Sequence, residues 1–126
     1  MIKTFEDYNQ DLDKFQSKWE YYEKIIENCG YYIESQLPQK DYFDWEFTNE
    51  DTPIIRYEFY YDLDIDDEQT QNVFDTFEKL KLECLDTEIG THFKSKEDML
   101  RFIVDIPAAE AVKIGKDYEE ITKYNL

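Results

Sequence analysis

The sequence predicts an α+β fold: an antiparallel sheet of about four strands packed against helices, in the order α-β-β-α-β-β-α. Two observations carry that expectation. Phe5, Tyr8, Leu12, Phe15, Trp19, Tyr22, Ile26, Cys29 and Ile33 recur with alternating spacings of three and four, the stripe of one continuous helix. From Phe43 onward the period drops to two, returns to helical spacing, and then repeats the same change, as a sheet interrupted by helices requires.

The first helix starts at Thr4, an N-cap with Asp7 three residues on. Gly30 is a natural C-terminal residue, but the stripe continues through Ile33, so the helix can instead run to about Gln36 before Pro38 stops it. Its bulky aromatics suit packing across the chain's own sheet better than a two-stranded coiled coil. Dimerisation through this helix is the alternative use of the same stripe.

Two strands follow. Phe43, Trp45 and Phe47 alternate with Asp44, Glu46 and Thr48. Ile55, Tyr57, Phe59, Tyr61, Leu63 and Ile65 alternate with Arg56, Glu58, Tyr60, Asp62 and Asp64. One face is buried and one is wet. Asn49-Glu50-Asp51-Thr52-Pro53 is the turn of this hairpin. A second helix is expected from Asp67 to about Leu82, capped by Asp66 with Gln69 at its third position, its buried stripe being Val73, Phe77, Leu80 and Cys84. Thr87, Ile89, Thr91 and Phe93 read as a third strand and Leu100, Phe102, Val104 and Ile106 as a fourth. Residues 95–106 also fit a capped helix, and the β-rich run Phe102-Ile103-Val104 decides for strand. Pro107 opens a last helix, Ala108 to about Lys123, with Ala111, Ile114, Tyr118 and Ile121 inward.

The 126 residues form one acidic domain, 1–126, by size and by the lack of a linker. A net charge of −17 disfavours nucleic acid, phospholipid headgroups and polyphosphates as partners. Acids near the N-terminus argue against export, and no apolar run is long enough to span a bilayer, so a cytoplasmic protein is expected. Cys29 and Cys84 sit in apolar patterns and read as reduced core residues. Lys outnumbers Arg twelve to two, the bias of an AT-rich genome.

Catalytic and cofactor signals are weak. Gly30, Gly90 and Gly115 are scattered and build no nucleotide-binding loop, and no cofactor is expected. Asp62-Leu63-Asp64-Ile65-Asp66-Asp67 brushes against a calcium-loop pattern, but Asp67 and Val73 stand where Gly and Glu are required, so no metal is expected. His92, the single histidine, has no triad or zinc pattern and reads as a surface strand residue. Paired acids are plentiful enough to arise by chance. A non-enzyme is expected.

Charge distribution is the informative feature. Eleven of the 31 acids lie between Asp41 and Glu68, with Arg56 as the lone base among them. Asp44, Glu46, Glu58, Asp62 and Asp64 are expected on the wet face of the hairpin, joined by Glu50 and Asp51 at its turn, Tyr60, and Asp66, Asp67 and Glu68 at the next helix start. Carboxylates at i and i+2 on a strand stand roughly 6.6–6.8 Å apart. Duplex DNA places one charge per about 3.4 Å along each strand, and a carboxylate ladder of this pitch can occupy a groove built for a phosphate backbone. Exposed tyrosines beside them, one from each of the pairs Tyr21-Tyr22, Tyr31-Tyr32 and Tyr60-Tyr61, would add contact area.

In charge and length the chain resembles phage-encoded DNA mimics, the anti-restriction, anti-CRISPR and uracil-glycosylase inhibitor proteins. That resemblance implies a stoichiometric inhibitor whose acidic sheet face blocks a basic, nucleic-acid-binding surface of another protein. Two further expectations stand beside it. One is a bacterial immunity protein or antitoxin neutralising a cationic nuclease toxin. The other is an acidic structural module that dimerises through its first helix.

Overall fold

The computed structural model describes residues 5–38, 42–48, 53–91 and 97–124, with side chains described from residue 20 onward except at 42, 91 and 124. The Thr4 cap, Glu50, Asp51, His92, Phe93 and the side chains of the stripe from Phe5 to Trp19 lie outside the described part. The elements are α1 (Phe5–Gln36), β1 (Tyr42–Thr48), β2 (Ile54–Tyr61), α2 (Asp67–Lys79), β3 (Cys84–Thr91), β4 (Asp98–Pro107) and α3 (Ala108–Tyr124). The expected order holds, and residues 98–107 are a strand.

The four strands form one antiparallel sheet in the order β1-β2-β4-β3. Its inner face is built by alternate residues. Tyr57 and Phe59 of β2, and Phe102, Val104 and Ile106 of β4, are all essentially inaccessible to solvent. All three helices cover this face. From α1, the Ile26 carbonyl accepts the Tyr57 hydroxyl at 2.6 Å. From α2, Phe77 packs its ring on Phe59 and Phe102 at centroid distances of 5.8 and 6.3 Å. From α3, Ala111 joins the same buried cluster. The Ala108 amide donates to the Pro53 carbonyl at 3.0 Å, tying the start of α3 to the start of β2.

Two glycines set how closely the layers approach. Gly30 lies inside α1 and does not end it, because the helix passes over β1 there. A Cβ at this position would enter the Phe43 ring. Gly115 of α3 sits on the backbone carbonyl of Ile25 in α1, which leaves no room for any side chain.

The second helix is shorter than its apolar pattern predicts. Asp66 and Gln69 form the expected capping box. At the other end Leu80 is the C-cap, Lys81 takes a left-handed conformation at φ 60°, and two hydrogen bonds run from Leu82 N to Phe77 O (2.8 Å) and from Lys81 N to Glu78 O (3.0 Å). This is a Schellman motif with lysine where glycine is usual. The chain turns away, and Cys84 enters β3 instead of extending the α2 stripe.

Several expected inward positions are not buried. Ile121 is 51% exposed near the C-terminal end of α3, and Ile89 is 66% exposed on the outer strand β3. Among the described residues no helix is long and apolar enough to cross a membrane.

Candidate acidic face of the sheet

The outer face of the sheet is the side away from the helices. Strand register places Asp44 and Glu46 of β1 beside Glu58 and Arg56 of β2. Arg56, Glu58 and Tyr60 face Asp105, Ile103 and Arg101 of β4. Arg101 and Ile103 in turn face Glu88 and Asp86 of β3. Six carboxylates thus share the face with the only two arginines of the chain.

Both arginines are committed to partners within the sheet. Arg56 donates to Asp105 through two bonds, Nε to Oδ1 at 2.8 Å and Nη2 to Oδ2 at 3.0 Å. That hydrogen bonding to Asp105, outweighing the cost of burial, holds the Arg56 guanidinium even more firmly charged than usual. Arg101 reaches Glu58 on one side, Nη1 to Oε1 at 3.4 Å, and Glu88 on the other. Its guanidinium passes over Gly90, where an added Cβ would stand 3.5 Å from its Cζ. Glu58 also accepts the Tyr60 hydroxyl at 3.1 Å. Burial, then the Glu58 carboxylate, raise the Tyr60 pKa.

The predicted ladder of five carboxylates along the hairpin does not form. Asp44, Glu46 and Glu58 do meet on the outer face. Strand β2, however, ends at Tyr61, and Asp62 and Asp64 lie in a turn closed by Ile65 N to Asp62 O at 3.2 Å. Turn chemistry overrides the alternating pattern there. Leu63, expected inward, is 49% exposed. Asp66 uses its side chain as the α2 N-cap, accepting from Gln69 N at 2.7 Å, and Asp67 and Glu68 occupy the first turn of that helix.

The acids therefore form two groups. Asp44 and Glu46 are exposed on β1. Asp62, Asp64, Asp66, Asp67 and Glu68 are exposed on the β2–α2 turn, beyond the Tyr60 end of the hairpin. Glu58 is a part-buried internal ion pair between them. Tyr60 is only 5% exposed and offers no contact area, because Glu58 and its neighbours cover it. The in-and-out expectation for tyrosine pairs fails at Tyr60-Tyr61, both buried, and at Tyr21-Tyr22, both exposed.

Asp86, Glu88 and Asp105 were not among the candidates read from sequence. Asp105 reaches the face through pairing of β2 with β4, and Asp86 and Glu88 through pairing of β3 with β4, neither of which local patterning reveals. The alternation of Asp86 and Glu88 with Thr87 and Ile89 was the available signal.

Among the described residues no cluster of metal-ligating side chains is present. Cys29 and Cys84 are free thiols. Burial pushes Cys29 up to about 12, which keeps it a protonated core residue and not a nucleophile. An apolar groove of about 460 Å³ between α1, α3 and the start of β2 is lined by Ile26, Phe47, Pro53, Ala109 and Val112 among others, with Tyr22 as its one titratable side chain. The chain matches no protein-family model, no curated protein and no solved structure.

Proposed function

We propose that the protein is a stoichiometric inhibitor that binds a basic, nucleic-acid-binding surface of another protein through its acidic sheet face and the adjoining turn. The observation that carries this is the use made of the two arginines. Both are spent on Asp105, Glu58 and Glu88 inside the sheet, while Asp44 and Glu46 stay exposed on β1 and Asp62, Asp64, Asp67 and Glu68 on the β2–α2 turn. Within each group the carboxylates are near neighbours in sequence and repel one another, and lysine, abundant elsewhere in the chain, is not placed between them. A negative patch of this kind steers a positive one towards it and repels DNA and RNA themselves.

Displacement of labelled duplex DNA from a panel of purified nucleases and restriction endonucleases tests the proposal. The protein should release DNA from at least one of them at stoichiometric concentration, less effectively as salt rises. The Asp44→Lys/Glu46→Lys/Asp62→Lys/Asp64→Lys variant should not. Displacement by that variant at wild-type strength, or none by the wild type across the panel, overturns it.

A further inference from the structure

The face described above ends at β3, an outer strand with one edge unpaired by the sheet. Such an edge presents backbone donors and acceptors that a further strand can take. Natural sheets commonly blunt it with lysine or proline, and β3 has neither, its charged residues being Asp86 and Glu88. A register shift between Cys84 and Asp86 marks a bulge at its beginning, after which Asp86 to Thr91 pair regularly with β4.

Side chains along that regular stretch alternate in kind. Asp86 and Glu88 point to the outer face. Thr87 and Ile89 point to the helix side, where Ile89 is 66% exposed, and Leu85 at the bulge is 50% exposed. The Thr87 amide is held by the Asp86 carboxylate, N to Oδ1 at 2.8 Å, a short-range bond that an incoming carbonyl replaces without leaving the amide unsatisfied.

We infer that β3 receives an extended segment of a partner protein as a fifth strand, and that this segment alternates basic with apolar residues. The alternation follows from the pleat. An added strand places every second side chain on the outer face, next to Asp86 and to the Glu88–Arg101–Glu58 group, which keeps a net negative charge, and the others beside Ile89. A second copy of β3 is disfavoured as the occupant, since it would set Asp86 and Glu88 against the same carboxylates. The inference rests on the proposed function only for the sign of the partner's charge.

A blocked peptide of about ten residues, alternating lysine with valine, is the probe. Amide spectra of the labelled protein should show its binding at Asp86 to Thr91, with slowed exchange of the Thr87 and Ile89 amides. N-methylation of alternate peptide residues, in the frame that removes the donors facing β3, should weaken binding by about tenfold or more. Ile89→Lys, at an exposed position, should weaken it too. Equal binding by the N-methylated peptide or to the Ile89→Lys protein, equal binding by a glutamate–valine peptide, or no binding overturns the inference. A dimer joined through β3 in the free protein also overturns it. Binding mapped to Asp44, Glu46 and the β2–α2 turn, with β3 unperturbed, overturns the edge strand while leaving the acidic-face inhibitor standing. Binding at β3 without DNA displacement from any nuclease does the reverse.

Discussion

Arg56, the lone base of the acid-rich stretch, is locked onto Asp105 of the neighbouring strand by two parallel hydrogen bonds of 2.8 and 3.0 Å. A planar guanidinium meets a carboxylate in this way and an ammonium does not. Arg56→Lys should therefore lower stability by about 0.5–1 kcal/mol despite keeping the charge, a modest figure because the pair is partly solvated. Urea denaturation at low and high salt checks it, and equal midpoints for the two proteins would count against the two-point pair.

The contact of Gly115 with the Ile25 carbonyl leaves the α1–α3 interface no room for a side chain at that position. Gly115→Ala meets rigid backbone and should cost about 3 kcal/mol, at the upper end of overpacking effects. Gly30→Ala meets the ring of Phe43 instead. Its loss should be partly restored by Phe43→Leu, whereas no side-chain change at residue 25 should restore Gly115→Ala. Thermal melts of the single and double variants give the comparison.

Lys81 holds a left-handed conformation that costs a residue with a Cβ about 1 kcal/mol relative to glycine. Lys81→Gly should raise stability by up to that amount. No gain would mean that the Schellman turn is not as described. The same residue shows why the α2 end was illegible. The pattern Val73, Phe77, Leu80, Cys84 reads as an unbroken helical stripe, and the usual glycine signal is missing. The order of elements and the α2 N-cap were legible because periodicity and capping are local. The outer face was legible only in part. Asp44 and Glu46 follow from alternation within one strand, whereas the demotion of Glu58 to an internal ion pair depends on Arg101, 43 residues away. Asp62 and Asp64 continued the alternation in sequence after the strand itself had ended.

Cys29 and Tyr57 lie side by side in the core, and burial raises both above their ordinary values of 9.0 and 10.0. The native state thus keeps protons that the unfolded chain releases in alkali. Stability from these groups is fully present below about pH 9 and falls as pH rises towards 12, by up to about 4 kcal/mol from Cys29 alone. Urea midpoints should decline across that window, and Cys29→Ala should make the onset shallower. A flat profile would contradict a buried, protonated thiol.

The two kinds of carboxylate in the acid-rich stretch should respond in opposite ways to charge reversal. Glu58 is held by Arg101 and by the Tyr60 hydroxyl, so Glu58→Lys brings two cations together over a part-buried site and should destabilise the fold by about 2–4 kcal/mol. Asp66→Ala should cost about 1 kcal/mol through its lost cap. Asp62 and Asp64 are exposed in the turn, and their replacement by lysine, together with Asp44→Lys and Glu46→Lys, should leave stability within about 0.5 kcal/mol or raise it, because repulsion is relieved. The same four changes should abolish displacement of DNA from the target nuclease. Stability and binding then report on different residues of one acidic surface. If Glu58→Lys folds as well as the wild type, Arg101 is not the partner that fixes it. If the fourfold variant unfolds, the exposed acids belong to the fold and not to an interface.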